Sequence, residues 1–213
     1  MSPSGSAFEE EKDKPSSISA VSPLSRALTV VALGDSLTEG YGVRENQSYP
    51  SLLNDRLHCD GFPCRVINAG ISGETSSELL HRIPRILLLK PDIVILCTGA
   101  NDGLMGVDTV KIRDAVSRII RKLTAHQLTI VLAGMKMLVN YDFEYAEKFN
   151  RLYPEIAAQE QVIFIPFLLE GVWGNPAYNF SDGIHPNADG YRIILESIYP
   201  FVSAAVKSRL GGV

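Results

Sequence analysis

The sequence predicts an α/β fold in which a five-stranded parallel sheet lies between two layers of helices. Short apolar runs alternate along the chain with longer segments of helical period, as in proteins built from strand–helix–strand units. The runs are continuously apolar, which is typical of strands buried on both faces of a parallel sheet. Together these observations favour a three-layer α/β/α sandwich of the flavodoxin-like class, with right-handed crossovers.

Five strands and five longer helices are predicted in this architecture. The strands are the runs LTVVAL from Leu28, RVINAG from Arg65, DIVILCTG from Asp92, TIVLAG from Thr129 and VIFIPF from Val162. The helices are expected over residues 49–58, 76–89, 109–126, 145–159 and 188–209. Pro84 should kink or split the second of these helices, because proline lacks the N–H that a helix interior uses.

Length and composition predict a short tail followed by one domain. Hydrophobic residues make up 46% of the 213 residues, which is enough to build a core. Residues 1–26 are rich in Ser, Pro and charge, so we expect a disordered tail or linker there and a single domain over 27–213. The tail could also be the stub of a removed export or anchoring segment. No export signal opens the chain, so a soluble protein is expected, cytoplasmic by default.

Charge and motif content exclude several function classes. Lys and Arg total 20 against 24 for Asp and Glu, so the basic surface of a nucleic-acid-binding protein is missing. The longest apolar runs fall far short of the roughly 20 residues that cross a bilayer, so no stable membrane insertion is expected. No nucleotide-binding glycine motif occurs, and His58, His81 and His126 lack the spacing of metal ligands. We therefore expect no cofactor and no metal.

The three cysteines do not form a disulfide framework. Cys59 and Cys64 are close enough in sequence to pair in an oxidising compartment, and their pairing stays open. Cys97 lies inside an apolar run, where a thiol is usually a small buried hydrophobe.

The loop after the first predicted strand carries a candidate nucleophile. In a parallel sheet the working residues lie just beyond the carboxyl ends of the strands. The stretch GDSLTEG from Gly34 puts the Ser36 hydroxyl at the start of a helix, where backbone N–H groups favour negative charge. The simpler interpretation is that Asp35 or Ser36 only caps that helix.

The remaining loops supply the other parts of nucleophilic catalysis. Asp182 precedes His185 by three residues, and Pro186 suits the first position of a helix, which leaves His185 at the edge of the loop. Glycine-rich loops follow the second and third strands and offer backbone N–H groups and the amide of Asn101. A serine, an Asp–His pair and oxyanion donors at one sheet edge fit a Ser-His-Asp triad. There is no G-x-S-x-G elbow, so the chain differs from the α/β-hydrolases.

Four sequence blocks resemble those of the GDSL or SGNH hydrolases, a family whose blocks carry Ser, Gly, Asn and His. The blocks are Gly34-Asp35-Ser36-Leu37, Gly73 within NAGISGET, Gly99-Ala100-Asn101-Asp102 and Asp182-Gly183-Ile184-His185-Pro186. The likeness extends from about Leu28 to the end of the chain and is greatest to the bacterial acyl-CoA thioesterase, lysophospholipase and arylesterase branch. The chain departs from that branch at three places. Ala100 stands where the branch often has a second glycine, and Thr38 stands where serine is common. The tail stands where the branch usually carries an export signal.

The resemblance implies the SGNH hydrolase fold and a role for each site residue. It implies Ser36 as nucleophile, His185 as general base and then acid, and Asp182 as the group that orients the imidazole. The implied oxyanion hole consists of the Ser36 and Gly73 N–H groups and the Asn101 side chain. The implied substrates are small acyl esters or thioesters, such as aryl esters, lysophospholipids or acyl-CoA, which are hydrolysed through an acyl-enzyme intermediate. The expected enzyme is a monomer. By resemblance to the family, it could also be periplasmic or secreted.

Three alternatives stay open at this point. The same residues could deacetylate a carbohydrate or transfer an acyl group to an alcohol. The fold could also serve as a non-catalytic module that binds acyl or glycan ligands. Asp35 and Asp102 are expected to hold loop geometry rather than to contact substrate.

The segment after the fourth strand is a candidate acyl-binding groove. Met137, Leu138, Asn140 and Tyr141 are the candidate substrate-binding residues there, in a stretch more apolar than a surface loop should be. Flexible methionines fill irregular apolar pockets well. The alternative is that Met135 and Met137 only complete the packing of the strand. Resemblance to the mobile acyl-binding loop of the thioesterase branch favours the groove.

Overall fold

The computed structural model describes Met1 and residues 26–137 and 142–211. Five strands form one parallel sheet: β1 (Leu28–Gly34), β2 (Cys64–Gly70), β3 (Ile93–Cys97), β4 (Thr129–Ala133) and β5 (Ile163–Ile165). Their order across the sheet is β2-β1-β3-β4-β5. Every residue of β1 and β3 is buried, as their continuous apolar runs predict, whereas the edge strand β2 is partly exposed. The predicted fold class is confirmed.

Helices cover both faces of this sheet. They are α1 (Ser36–Glu39), α2 (Tyr49–Cys59), α3 (Ser76–Leu87), α4 (Ala100–Leu104), α5 (Thr109–Thr124), α6 (Phe143–Glu160) and α7 (Ala188–Gly211). Helix α2 packs against α7, while α5 packs between α3 and α6. On α3 the buried residues Leu79, Ile83 and Ile86 recur at helical spacing, so that one apolar stripe faces the core.

Several local predictions need correction. Helix α3 is continuous through Pro84, so the proline does not split it. Helix α7 begins at Ala188 as predicted, but Pro186 does not take the helical position that it suits and instead pairs with Asn179 in an isolated β-bridge. Asn187 caps α7 instead, because its Oδ1 accepts the N–H groups two and three residues further on. Pro166 lacks an N–H, and the fifth strand ends before it.

The cysteines are free thiols in this structure. Cys59 is exposed and Cys64 is buried, and no disulfide joins them. Cys97 is buried as predicted, and burial raises the pKa of its thiol well above the usual value, which keeps it neutral.

The three histidines outside the candidate site are all exposed: His58, His81 and His126. Within residues 26–137 and 142–211, no three His, Cys, Asp or Glu side chains gather as a metal site would require. None of the helices described is both long and apolar enough to cross a membrane.

Candidate active site

The candidate nucleophile lies where β1 passes into α1. Gly34 ends β1 opposite both Gly70 and Cys97, and a Cβ at Gly34 would lie 2.3 Å from the Cys97 carbonyl oxygen. The absence of a side chain there lets the chain turn tightly against its neighbour strand. Asp35 Oδ1 accepts the Leu37 N–H at 3.0 Å, so Asp35 caps α1 and the Ser36 hydroxyl is left for another partner.

That partner is the imidazole of His185. Its Nε2 lies 2.9 Å from Ser36 Oγ, and its Nδ1 lies 2.7 Å from Asp182 Oδ2. The other carboxylate oxygen, Oδ1, accepts the backbone N–H groups of Ile184 and His185 at 2.8 and 2.9 Å. A single carboxylate therefore shapes its own loop and orients the ring.

The charge of Asp182 determines which ring nitrogen carries the proton. Burial opposes ionisation, but the N–H donors of His185 and Ile184 and the imidazole outweigh it and lower the pKa of Asp182 to about 2. An ionised carboxylate can only accept, so the His185 Nδ1–H donates to it. Nε2 is then the acceptor that faces the Ser36 hydroxyl.

Asp35 is a carboxylate of the opposite kind. Burial raises its pKa to about 6, although the Leu37 N–H and the nearby His185 act to lower it. No hydrogen-bond partner for its buried Oδ2 is found among the residues described. Among the described residues its side chain bonds only to backbone, as a group that holds loop geometry would.

Candidate oxyanion donors follow three neighbouring strands, β1, β2 and β3. Gly73 has a φ of +81°, a left-handed conformation that favours glycine. Asn101 donates one amide hydrogen of Nδ2 to the Glu74 carbonyl at 3.0 Å and retains a second. In the described part of the chain the Ser36 and Gly73 N–H groups have no hydrogen-bond acceptor. Asp102 lies beside these donors without competing for them, since its carboxylate accepts the N–H and hydroxyl of Ser76.

An apolar cavity of about 270 Å³ adjoins the Asp182–His185 loop. Met137 lines it, as the groove hypothesis requires, and Met135 contributes to both the lining and the buried core. Leu138, Asn140 and Tyr141 lie outside the described residues, so their predicted contacts stay predictions. Much of the remaining wall comes from aromatic and aliphatic side chains: Leu37, Phe149, Phe167, Leu169, Trp173 and Ile184.

Sequence reasoning missed part of this wall and one neighbour of the imidazole. Phe167 and Trp173 follow the short strand β5 and pack edge to face with ring centroids 5.4 Å apart. The rule that sites lie beyond the carboxyl ends of strands would have indicated them. The Tyr41 ring packs on His185 with centroids 4.5 Å apart, and no motif predicts that contact.

The sequence pattern of the GDSL-like Lipase/Acylhydrolase family matches residues 32–193. The chain belongs to this family. The matched range includes Ser36, Gly73, Asn101, Asp182 and His185, which the structure arranges as described above.

Three relatives of this chain carry enzyme names. The chain is 37% identical to Esterase TesA of Pseudomonas aeruginosa, over 82% of this chain and 87% of the relative. It is 37% identical to an Arylesterase of Vibrio mimicus, over 85% and 90%. It is 34% identical to the thioesterase 1/protease 1/lysophospholipase L1 of Escherichia coli, over 79% and 80%.

A solved structure supports the same placement in the family. The crystal structure of TesA superposes with a TM-score of 0.80 at 35% identity, covering 83% of this chain and 99% of that one.

Proposed function

We propose that this GDSL-like acylhydrolase is a serine esterase that hydrolyses acyl esters or thioesters through an acyl-enzyme intermediate. The observation that carries the proposal is the continuous hydrogen-bond chain from Ser36 Oγ through His185 to Asp182. This arrangement can transfer the hydroxyl proton to the imidazole while an ionised carboxylate stabilises the imidazolium. The names of the relatives, which include esterase, arylesterase and thioesterase, support the same reaction class.

In the acylation step Ser36 Oγ attacks the carbonyl carbon of the substrate, and its proton moves to Nε2 of His185. The carbonyl oxygen becomes an oxyanion, which the N–H groups of Ser36 and Gly73 and the Asn101 amide stabilise. Collapse of the tetrahedral intermediate breaks the bond to the leaving group. His185 returns the proton to the departing alcohol or thiol, and the acyl group stays on Ser36.

Water then takes the place of the alcohol. Its proton moves to His185 as its oxygen attacks the acyl carbon, and a second tetrahedral intermediate forms in the same oxyanion hole. When this intermediate collapses, Ser36 Oγ leaves and recovers the proton from His185. The products are a carboxylic acid and the free enzyme, and no residue has changed its net protonation.

The acyl chain of the substrate occupies the apolar cavity next to Asp182 in this proposal. The volume of about 270 Å³ and the apolar lining favour an alkyl or aryl acyl group over the acetyl group of a modified sugar. The donors and the triad all belong to one copy of the chain, so the proposed enzyme needs no second copy. Its proposed partner is a small acyl ester or thioester, which a single domain over 27–213 binds. The proposed activity needs neither nucleic acid nor stable insertion into a membrane.

The first test compares p-nitrophenyl esters from acetate to palmitate on the wild type and on Ser36→Ala. We expect turnover by the wild type and a loss of about 10⁴-fold or more in the variant, because the nucleophile is gone. Ser77→Ala, an exposed serine on α3, is the matched control and should retain full activity. Preference for acetate alone would favour a deacetylase. No turnover of any ester, with ester binding retained, would favour the binding module.

The second test addresses the cavity. Met137→Ala removes apolar contact with the distal part of the acyl chain, so kcat/KM for long esters should fall several-fold relative to short ones, at about 0.8 kcal/mol per methylene. Leu88→Ala changes an exposed leucine beyond the end of α3 and serves as the control. An unchanged ratio in Met137→Ala would remove Met137 from the substrate site.

A further inference from the structure

A buried ion pair lies beneath the loops that carry the oxyanion donors. Arg82 on α3 and Glu74 in the loop after β2 have side chains only 15% and 7% exposed. Arg82 Nε donates to Glu74 Oε1 at 2.5 Å, and Nη2 donates to Oε2 at 2.6 Å. This bidentate geometry fixes the relative orientation of the two side chains as well as the distance between them.

The same guanidinium also contacts the ends of two strands. Its Nη2 donates to the carbonyl of Ala69 at 2.8 Å and to that of Gly34 at 3.3 Å. Ala69 lies at the end of β2, and Gly34 is separated from the nucleophile Ser36 by one residue. The Gly34 carbonyl also accepts the Ile71 N–H at 2.9 Å, which ties the loop after β2 to β1.

Glu74 extends the connection to the remaining donors. It directly follows Gly73, so fixing Glu74 limits the orientation of the Gly73 N–H. Its carbonyl accepts one amide hydrogen of Asn101 at 3.0 Å, which turns the second amide hydrogen in a defined direction. The three proposed donors, on Ser36, Gly73 and Asn101, are thus each joined to one ion pair within one or two residues.

We propose that Arg82 and Glu74 are positioning residues that set the spacing of the three oxyanion donors. The inference rests on the proposed esterase function. Taking two charges out of water is costly, and a buried ion pair is weak as a source of stability. Donor geometry, in contrast, must be held to within about half an ångström for an oxyanion to be stabilised. A planar guanidinium that bridges a carboxylate and two carbonyls supplies that rigidity.

The structural role and the positioning role of this ion pair predict different effects of its loss on Tm, kcat and KM. If the pair only stabilises the fold, its loss lowers Tm, and the molecules that remain folded keep their normal kcat. If the pair positions the donors, the folded variant binds substrate normally but stabilises the transition state poorly. The kcat then falls while KM stays nearly constant.

The decisive variant is Arg82→Lys, assayed with the best p-nitrophenyl ester well below its Tm. Lysine retains the charge, but its single ammonium group cannot form the bidentate contact with Glu74 or reach the carbonyls of both Ala69 and Gly34. We expect kcat to fall about 10- to 100-fold with KM within about twofold, as small misplacements of catalytic groups cost this much. The matched control is Arg113→Lys, in an exposed ion pair with Glu155 between α5 and α6, which should leave kcat unchanged.

A second pair of variants covers the case in which Arg82→Lys does not fold. The double variant Arg82→Met/Glu74→Leu leaves no unpaired buried charge, so it should fold and still show the reduced kcat. Adding Asn101→Ala to the variant that folds should cost less than Asn101→Ala costs in the wild type, because the amide is already misplaced.

The outcomes separate the two proposals. Normal kcat in every folded Arg82 variant overturns the positioning role and leaves the esterase proposal intact. A rise in KM without loss of kcat also overturns it. A wild-type enzyme with no ester turnover overturns the esterase proposal itself.

Discussion

Two loops carry the proposed reacting residues, Ser36 and His185, and each loop holds a carboxylate within a few residues of the proposed reacting atom. The loop after β1 holds Asp35, which is 1% exposed, whereas the loop before α7 holds Asp182, whose side chain is 38% exposed. Burial raises the pKa of Asp35 to about 6, while N–H donors lower that of Asp182 to about 2. The two pKa values have moved in opposite directions from the same starting point.

The difference shows that proximity to the reacting atoms does not determine the charge of a carboxylate. Asp182 accepts two backbone N–H groups and the imidazole, and these three donors replace the water it has lost. Asp35 accepts one backbone N–H and is otherwise enclosed. A carboxylate with a lowered pKa therefore lies beside the imidazole, and a carboxyl group with a raised pKa lies beside the proposed nucleophile.

The largest expected effect tests whether the two loops act as one unit. Ser36→Ala and His185→Ala should each lower kcat/KM about 10⁴-fold or more, and the double variant should lose little further. The reason is that either change interrupts the same proton transfer. Initial rates on one p-nitrophenyl ester measure all three variants. Losses that multiply in the double variant would show that the two residues act in separate steps.

The next effect contrasts the carboxylates directly. Asp182→Asn should lower kcat about 10³- to 10⁴-fold, since an amide N–H facing Nδ1 favours the tautomer in which Nε2 cannot accept a proton. Asp35→Asn should lower kcat less than about tenfold, because the asparagine oxygen can still accept the Leu37 N–H. Steady-state kinetics of both variants at pH 8 give the comparison. Equal losses would mean that Asp35 takes part in the proton transfer.

The smallest effect concerns stability and pH. Burial raises the pKa of Asp35 from its ordinary value of 3.8 to about 6, so the folded state holds this proton more tightly than the unfolded state does. Between about pH 4 and pH 6 the folded state must release a proton that the unfolded state has already lost, and stability falls as pH rises. The difference between the two pKa values corresponds to a loss of about 3 kcal/mol in the free energy of unfolding.

Asp35→Asn does not titrate and should escape this loss. Its free energy of unfolding relative to the wild type should therefore improve by up to about 3 kcal/mol between pH 4 and pH 7. Urea unfolding of both proteins at the two pH values measures the difference. A difference that stays constant across this range would contradict the raised pKa of Asp35.

Apolar runs and glycine-bounded loops were sufficient to predict the sheet and the loops at its edge that hold the candidate site residues. Strands β1 and β3 are buried on both faces, and such strands can be recognised in the sequence because they are continuously apolar. The residues Asp182 and His185 could be paired because their three-residue spacing already limits their geometry.

Other features of the structure have no pattern that can be recognised in the sequence. Helices α1 and α4 have four and five residues, too few to show a helical period. Pro186 is compatible with a helix start, but its bridge to Asn179 depends on tertiary packing. The Arg82–Glu74 pair joins positions eight apart through a loop and a helix, and only the folded chain brings the strand ends within reach of the guanidinium.

The hydrogen bond between Ser36 and His185 joins residues 149 positions apart. The proposed nucleophile is therefore synthesised long before its proposed base. A fragment of the chain that ends before His185 has a Ser36 hydroxyl with no imidazole to accept its proton. The proposed ester turnover thus reports that the loop before α7 has been synthesised and has reached the loop after β1.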